Sequence, residues 1–307
     1  MIKRLFNRND NIAILIAGIF SIIIGLGVAR FAFTGLIPAM LDDYLTIKFV
    51  GILASLNFAG YLSGSIFSIF VKDINFKVYL YRFGIFLAIS TTFILAYSDN
   101  NTLWMVGRVL AGFAGAMCLI VGTSIVMQKL TIKSKTKAMG IHFSGIGFSI
   151  LTTDLLARFV LSLNYTWRDS WAVLAVFAII LSLYSVYILS FDKEVKQNAV
   201  KVKFDISIFT PFVIVLIIAY FTEGVGFVVQ ATFLPDIINN LKGLEGYGSL
   251  TWTLVGVAGI PSCIIWMLLA HRFGSSNIII IALLLQAVGI LIPAFSSNIY
   301  LNLLSGV

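Results

Sequence analysis

Residues Ile12 to Pro38 read IAILIAGIFSIIIGLGVARFAFTGLIP, with Arg30 as the single charge. A helix needs about 20 predominantly apolar residues to cross the hydrocarbon core of a bilayer, and this stretch supplies them before Arg30 is reached. Lys3, Arg4 and Arg8 precede it. A basic start followed by an apolar run has the look of a secretory signal, but no small-x-small cleavage site follows and many similar stretches come after. We therefore read a retained first membrane helix whose amino terminus stays in the cytoplasm.

Outward from that stretch, the same apolar length recurs between short charged connections. The sequence predicts nine complete spans, over 12–34, 49–70, 78–98, 102–127, 138–160, 168–190, 207–232, 249–269 and 278–296. A tenth begins near Tyr300 and is interrupted at Val307. Of the 307 residues 60% are hydrophobic and 11% charged, against roughly 45–50% and about 25% in soluble domains. Such a chain cannot cover itself with polar surface, and the expected class is an all-α polytopic membrane protein embedded in lipid. The formal charge of +8 is scattered over several loops, so it marks orientation and gives no reason to expect nucleic acid. Cys118 and Cys263 both lie in apolar sequence; neither a disulfide framework nor a metal site is expected, nor any cofactor.

The connections alternate in charge. Lys3, Arg4 and Arg8, then Lys72, Lys77 and Arg82, then Lys129, Lys133, Lys135 and Lys137, then Lys193, Lys196, Lys201 and Lys203, then Arg272 fall on one side. The other side holds Lys48, Arg168 and Lys242. Basic loops stay cytoplasmic, which puts the first set on the cytoplasmic side of a bacterial inner membrane. The polar stretch 191–206 reads as a linker between an amino-terminal six-helix bundle, 1–190, and the start of a second bundle, 207–307. Across it an offset of 197 lays Gly27-Val28 on Gly224-Val225, Ile37-Pro38 on Leu234-Pro235 and Gly51 on Gly248. A parallel repeat of six helices is an architecture of secondary transporters, and on this reading the second bundle is incomplete here, a full one running to roughly residue 390.

Five ionisable residues fall within spans: Arg30, Arg108, Asp154, Arg158 and Glu223. Facing lipid at a helix centre, each would cost roughly 2.5–3.5 kcal/mol, so they are expected to face protein or water. Counting about 1.5 Å per residue, Arg30, Asp154 and Glu223 lie about 24–27 Å from the cytoplasmic ends of their helices, and all five belong to the outer half of the membrane. Asp154 and Arg158 stand i, i+4 and can pair on one helix face. Thr34 shares a face with Arg30, and Gln230, Tyr220 and Phe227 share one with Glu223. Glu223 reads as a candidate for taking up and releasing a proton, and Arg30 as its partner across a cavity. Small residues at steps of three and four, Gly140, Ser144 and Gly147 in the fifth span and Gly112 and Gly115 in the fourth, mark close helix packing.

Gly25 to Pro38, with Gly27, Arg30-Phe31-Ala32-Phe33-Thr34 and Leu36-Ile37-Pro38, resembles the first-helix signature of the YbfB/YjiJ-type branch of the major facilitator superfamily; Ala29 and Gly35 depart from it. Asn57, Gly60, Tyr61 and Gly64 are similar to its second-helix pattern, Trp167-Arg168 with Trp171 to the start of its sixth helix, and Ala231-Thr232-Phe233-Leu234-Pro235 to its seventh. Arg108 to Gly115 looks like the fourth-helix motif of proton-coupled members. Leu269-Ala270-His271-Arg272-Phe273-Gly274 looks like the cytoplasmic gating-loop motif, with His271 where aspartate is usual. The drug-antiporter Gly-Pro pattern is missing, since Gly145-Ile146-Gly147 carries no proline. The resemblance implies a major facilitator fold and a secondary active transporter of a small organic solute, driven by protons and working by alternating access.

Arg30, Arg108 and Arg158 outnumber Asp154 and Glu223 by one, which tilts the expected solute toward an anion. The competing class is an intramembrane enzyme, for which the sequence offers little: His142 and His271 lie near helix ends, no Gly-x-Ser-x-Gly elbow occurs, and Asp154 has no acidic mate. A receptor or channel without transport is a third class, which composition does not separate from the first. The charge asymmetry is checked by a single cysteine at Lys135, expected to resist an impermeant maleimide in intact cells. Its labelling would invert the orientation.

Overall fold

The computed structural model describes residues 2–41, 43–131, 135–191 and 206–306. In lipid every backbone amide and carbonyl must be satisfied within its own segment, and the described residues form nine apolar helices long enough to span: Asn11–Leu41, Ile47–Phe70, Ile74–Tyr97, Asn101–Lys129, Lys135–Ser162, Trp167–Ile188, Pro211–Asn239, Gly248–Phe273 and Ser275–Phe295. We call them the first to the ninth helix; a short helix, Ile299–Ser305, follows. Starts are set by side chains that accept first-turn amides: Asp10, Thr46, Asp73, Asn100, Thr166, Thr210 and Asn298. Thr166 forms a reciprocal capping box with Asp169. The Ile12 amide, with Arg4 beside it, holds the Asp10 carboxyl below the ordinary carboxylate range.

Two helices outrun their expected ends. The first continues from 34 to Leu41 through Pro38, and the seventh from 232 to Asn239 through Pro235. Proline removes one helix donor, but in membrane helices neighbours and local adjustment re-satisfy the freed groups. The seventh also starts later than expected, at Pro211, because Ile206–Ile208 forms a separate 3-10 turn. Ile23–Phe31 and Met117–Val121, in the first and fourth helices, are wound as π-helix, a local widening that is frequent at functional positions. Most of the expected linker, residues 192–205, and Lys133 lie outside the described residues.

Hydrogen bonds between connections sort the helix ends to two faces. On the face holding residue 11, the Thr131 amide donates to Asn11 Oδ1 (3.0 Å), Lys129 Nζ to the Ser190 carbonyl (2.5 Å) and the Tyr184 hydroxyl to the Leu5 carbonyl (2.7 Å). On the far face, the Tyr44 hydroxyl donates to the Asp99 carbonyl (2.9 Å), Trp167 Nε1 to Asp43 (2.9 Å), and Arg168 pairs with Asp99. Tyr44, Trp104 and Trp167 cluster there with ring centroids 5.1–5.9 Å apart.

Small residues decide which helices meet. The second and fourth interlock where Gly60 lies on the Val109 backbone and Gly112 on the backbone of Asn57 and Tyr61. The fifth and eighth run together along Gly140 against Ile264 and Gly147 against Gly256, Gly259 and Ile260. The first and seventh meet at their far ends, where Thr34 Oγ1 donates to the Ala231 carbonyl at 2.7 Å. Those residues are 197 apart, the offset of the sequence repeat. The buried residues of the seventh helix, Ala231, Thr232, Leu234, Pro235 and Ile238, all lie toward that end.

A Cβ at position 112 would run into partner backbone, which cannot swing aside as a side chain can. Gly112→Val is expected to cost about 1–3 kcal/mol, read as a lowered melting midpoint in detergent. Gly224→Ala, where a Cβ meets open space, should melt like the parent.

Candidate functional site

The widened segment of the first helix carries Arg30 at its end, and the fourth helix brings Arg108 up to the same cavity. Arg108 is 2% exposed. Its Nη1 donates to the Ala29 carbonyl (3.0 Å) and its Nε reaches the Leu53 carbonyl (3.4 Å), while Phe33 lies 4.3 Å from the guanidinium carbon. Asn57 returns the contact by donating from Nδ2 to the Arg108 carbonyl at 3.1 Å. Arg30 is held differently, against aromatic faces: Phe58 at 4.2 Å, Phe31 at 5.4 Å and Tyr61 at 5.8 Å. Such contacts offset part of the cost of removing a cation from water without using up its N–H donors. Among the described residues no carboxylate pairs with either arginine. Both line a cavity of ≈ 10 Å³ together with Thr34, Asn57, Phe58 and Thr232.

Asp154, 2% exposed, sits where the first, fifth and eighth helices converge. Its Oδ2 accepts from Arg158 Nη2 at 2.9 Å, the i, i+4 pair expected, and also from the Thr253 hydroxyl of the eighth helix at 2.7 Å. Arg158 donates to Thr253 as well. Gly35 leaves room beside this group: a Cβ there would meet Asp154 Oδ1 at 3.4 Å and Trp252 Nε1 at 3.6 Å. That indole N–H is buried without an acceptor.

Glu223 stands elsewhere. Starting from Pro211, it lies only about 18 Å along its helix at 1.5 Å per residue, nearer the middle of the membrane than expected. Its Oε1 accepts from Gln286 Nε2 of the ninth helix at 3.1 Å, in a separate cavity of ≈ 250 Å³. It does not face Arg30. The seventh helix divides its residues, because Phe227 and Gln230 line another chamber, with Trp252, Ile150 and Phe31. Arg272 and Gly274 turn between the eighth and ninth helices, where Gly274 takes φ 87°, a backbone that favours glycine, and Arg272 lies 5.2 Å from the Phe273 ring.

Four of the seven expected cavity residues thus gather around the first helix, Arg30, Thr34 and Arg108 at the niche and Asp154 beside Gly35, with Arg158 paired to Asp154. Gln230 lies in the adjoining chamber, and Glu223 apart from both. Charge in apolar sequence was the signal. It did not point to Phe58, Trp252 or Thr253, which are uncharged types common in membrane helices. Asn57, buried to 1%, was visible as part of a motif and became a site residue only through its bond to Arg108.

A family profile described as "Uncharacterised MFS-type transporter YbfB" matches residues 22–307. Among solved structures, the chain is similar to the crystal structure of the nucleoside transporter NupG (D323A mutant), with a TM-score of 0.65 and 14% identity over 98% of this chain and 78% of that one. No curated protein matches by sequence.

The Asp154 group is checked by a double-mutant cycle. Asp154→Asn and Thr253→Ala are each expected to lower thermal stability, with a coupling of about 0.5–3 kcal/mol. Strictly additive effects would mean that the contact across the fifth and eighth helices contributes nothing.

Proposed function

This chain belongs to the YbfB-type family of major facilitator transporters, a multi-pass membrane transporter, and on that premise we propose that it moves a small organic anion by alternating access, coupled to protons. The observation that carries the reading is the niche of Arg30 and Arg108, two membrane-embedded guanidinium groups without a carboxylate partner among the described residues. A buried charge left unpaired is strongly unfavourable. A solute anion that completes the pairing is therefore bound more tightly than a neutral or cationic one. The likeness to NupG supports the fold, and at 14% identity it lends no substrate.

In this reading residues 1–190 and 207–307 belong to two bundles joined by the linker 191–206, with the face of residue 11 toward the cytoplasm. Thr34 on Ala231 and Asp154 on Thr253 close the outer side. Asp154 is the better coupling group. Its Oδ2 joins helices of the two bundles, so a proton there neutralises the acceptor that Arg158 and Thr253 share and loosens the outer closure. Glu223 is the second proton-binding candidate, with Gln286 as its partner. Arg272 and Gly274 form the gating turn on the inner side.

In proteoliposomes with an imposed pH gradient, radiolabelled benzoate is expected to accumulate. Arg30→Ala should lose binding, and Asp154→Asn should exchange label across the membrane without accumulating it, while Glu223→Gln accumulates. If Glu223→Gln fails to accumulate and Asp154→Asn succeeds, the coupling roles are reversed. If Arg30→Ala binds like the parent, the niche is not the anion site.

A further inference from the structure

The niche is too small for a whole solute, and what lies beside it specifies the remainder. A cavity of ≈ 10 Å³ is about the least that admits one water-sized group. It admits a single oxygen inserted end-on, such as one arm of a carboxylate, and leaves no room for the tetrahedral crown of a phosphoryl group.

Phe31 and Ala231 line the niche and also border a second cavity of ≈ 210 Å³. Its other walls include Ile150 of the fifth helix, Phe227 and Gln230 of the seventh, and Trp252 and Val255 of the eighth. The Phe31 ring sits between the two spaces, 5.4 Å from the Arg30 guanidinium carbon and 6.1 Å from the Trp252 ring in an edge-on contact. Gln230, the Ser305 hydroxyl and the Trp252 indole N–H are the hydrogen-bonding side-chain groups of its lining, and no charge lines the chamber. An engineered apolar cavity of about 150 Å³ takes up benzene. A chamber of ≈ 210 Å³ therefore suits one substituted ring or a branched alkyl group of that bulk, not two rings.

Resting on the anion reading above, we propose that the solute is a monocarboxylate with a single ring-sized apolar body: its carboxylate enters the Arg30–Arg108 niche and its body lies in the chamber walled by Phe31, Phe227 and Trp252. A second charge on the body would be stranded in an apolar space. Dicarboxylates, sugar phosphates and zwitterions are disfavoured for that reason.

The test is equilibrium binding to the purified full chain in detergent, by calorimetry, with phenylacetate, acetate, succinate, phenylphosphonate and benzyl alcohol as probes. Phenylacetate is expected to bind at least about tenfold more tightly than acetate, a difference of about 1.4 kcal/mol, and more tightly than succinate and phenylphosphonate. Phe227→Ala, at a side chain 40% exposed whose loss leaves the fold intact, should erase the preference for phenylacetate and leave acetate unchanged. Arg30→Ala should weaken both. Acetate or succinate binding as tightly as phenylacetate would overturn the apolar body while leaving the anion reading in place. Benzyl alcohol binding as tightly as phenylacetate would overturn the anion reading itself. An unchanged preference in Phe227→Ala would remove the chamber from the site, and no saturable binding by any probe would count against both.

Discussion

Arg108 is the fixed point of this structure. A guanidinium in a medium without water has to find acceptors, and here they are backbone carbonyls: Ala29 of the first helix and Leu53 of the second. Ala29 lies in the π-wound segment Ile23–Phe31 and Leu53 in the regular helix Ile47–Phe70, and each lends its carbonyl to this outside donor. The charge on the fourth helix thereby ties down two neighbours. The glycines then follow as a requirement, since Gly60 and Gly112 let the second and fourth helices come close enough for Arg108 to reach Leu53.

Arg30 is held by rings where Arg108 is held by oxygens, and the difference separates two roles. Arg108 spends Nε and one N–H of Nη1 on the scaffold and keeps the rest of its fork for the niche. Arg30 keeps its donors for something else, because Phe58, Phe31 and Tyr61 offer it faces and not acceptors. Asp154 and Arg158 are the converse case: they pair with each other and both engage Thr253, so this group joins the fifth helix to the eighth.

The sequence disclosed the parts of this arrangement that rest on rare events. Charges in apolar stretches are few, so Arg30, Arg108, Asp154 and Arg158 could be picked out before any packing was known, and the alternation of lysines fixed the number of crossings. The first and seventh helices run on past the expected ends at 34 and 232 to Leu41 and Asn239, because apolar length alone does not mark where a membrane helix stops. Pro38 and Pro235 sit inside long helices. The late start of the seventh helix changed the depth of Glu223, and with it the residue it could face. Phe58, Trp252 and Thr253 could not have been singled out, since a chain with 26 phenylalanines and 5 tryptophans gives no reason to prefer one ring over another until neighbours are known. Asn57 lay between these cases, visible as a motif and silent about Arg108.

The contact of the fifth and eighth helices is a line of backbone on backbone, with Gly147 lying against Gly256 and Gly259. Where side chains interdigitate, one helix can shift over another only by disengaging each knob from its hole, and every disengagement adds to the barrier. Where glycine faces glycine there is little to disengage, and in a transport cycle that moved these helices past each other this seam would be the bearing. Polar groups near its far end, Asp154 with Thr253, would then act as the detent of a smooth axle: the seam supplies the freedom and that hydrogen bond chooses where it stops. A bulky residue anywhere along the seam would turn the bearing into a ratchet, and the penalty would appear in the rate of movement before it appeared in the strength with which any solute is held.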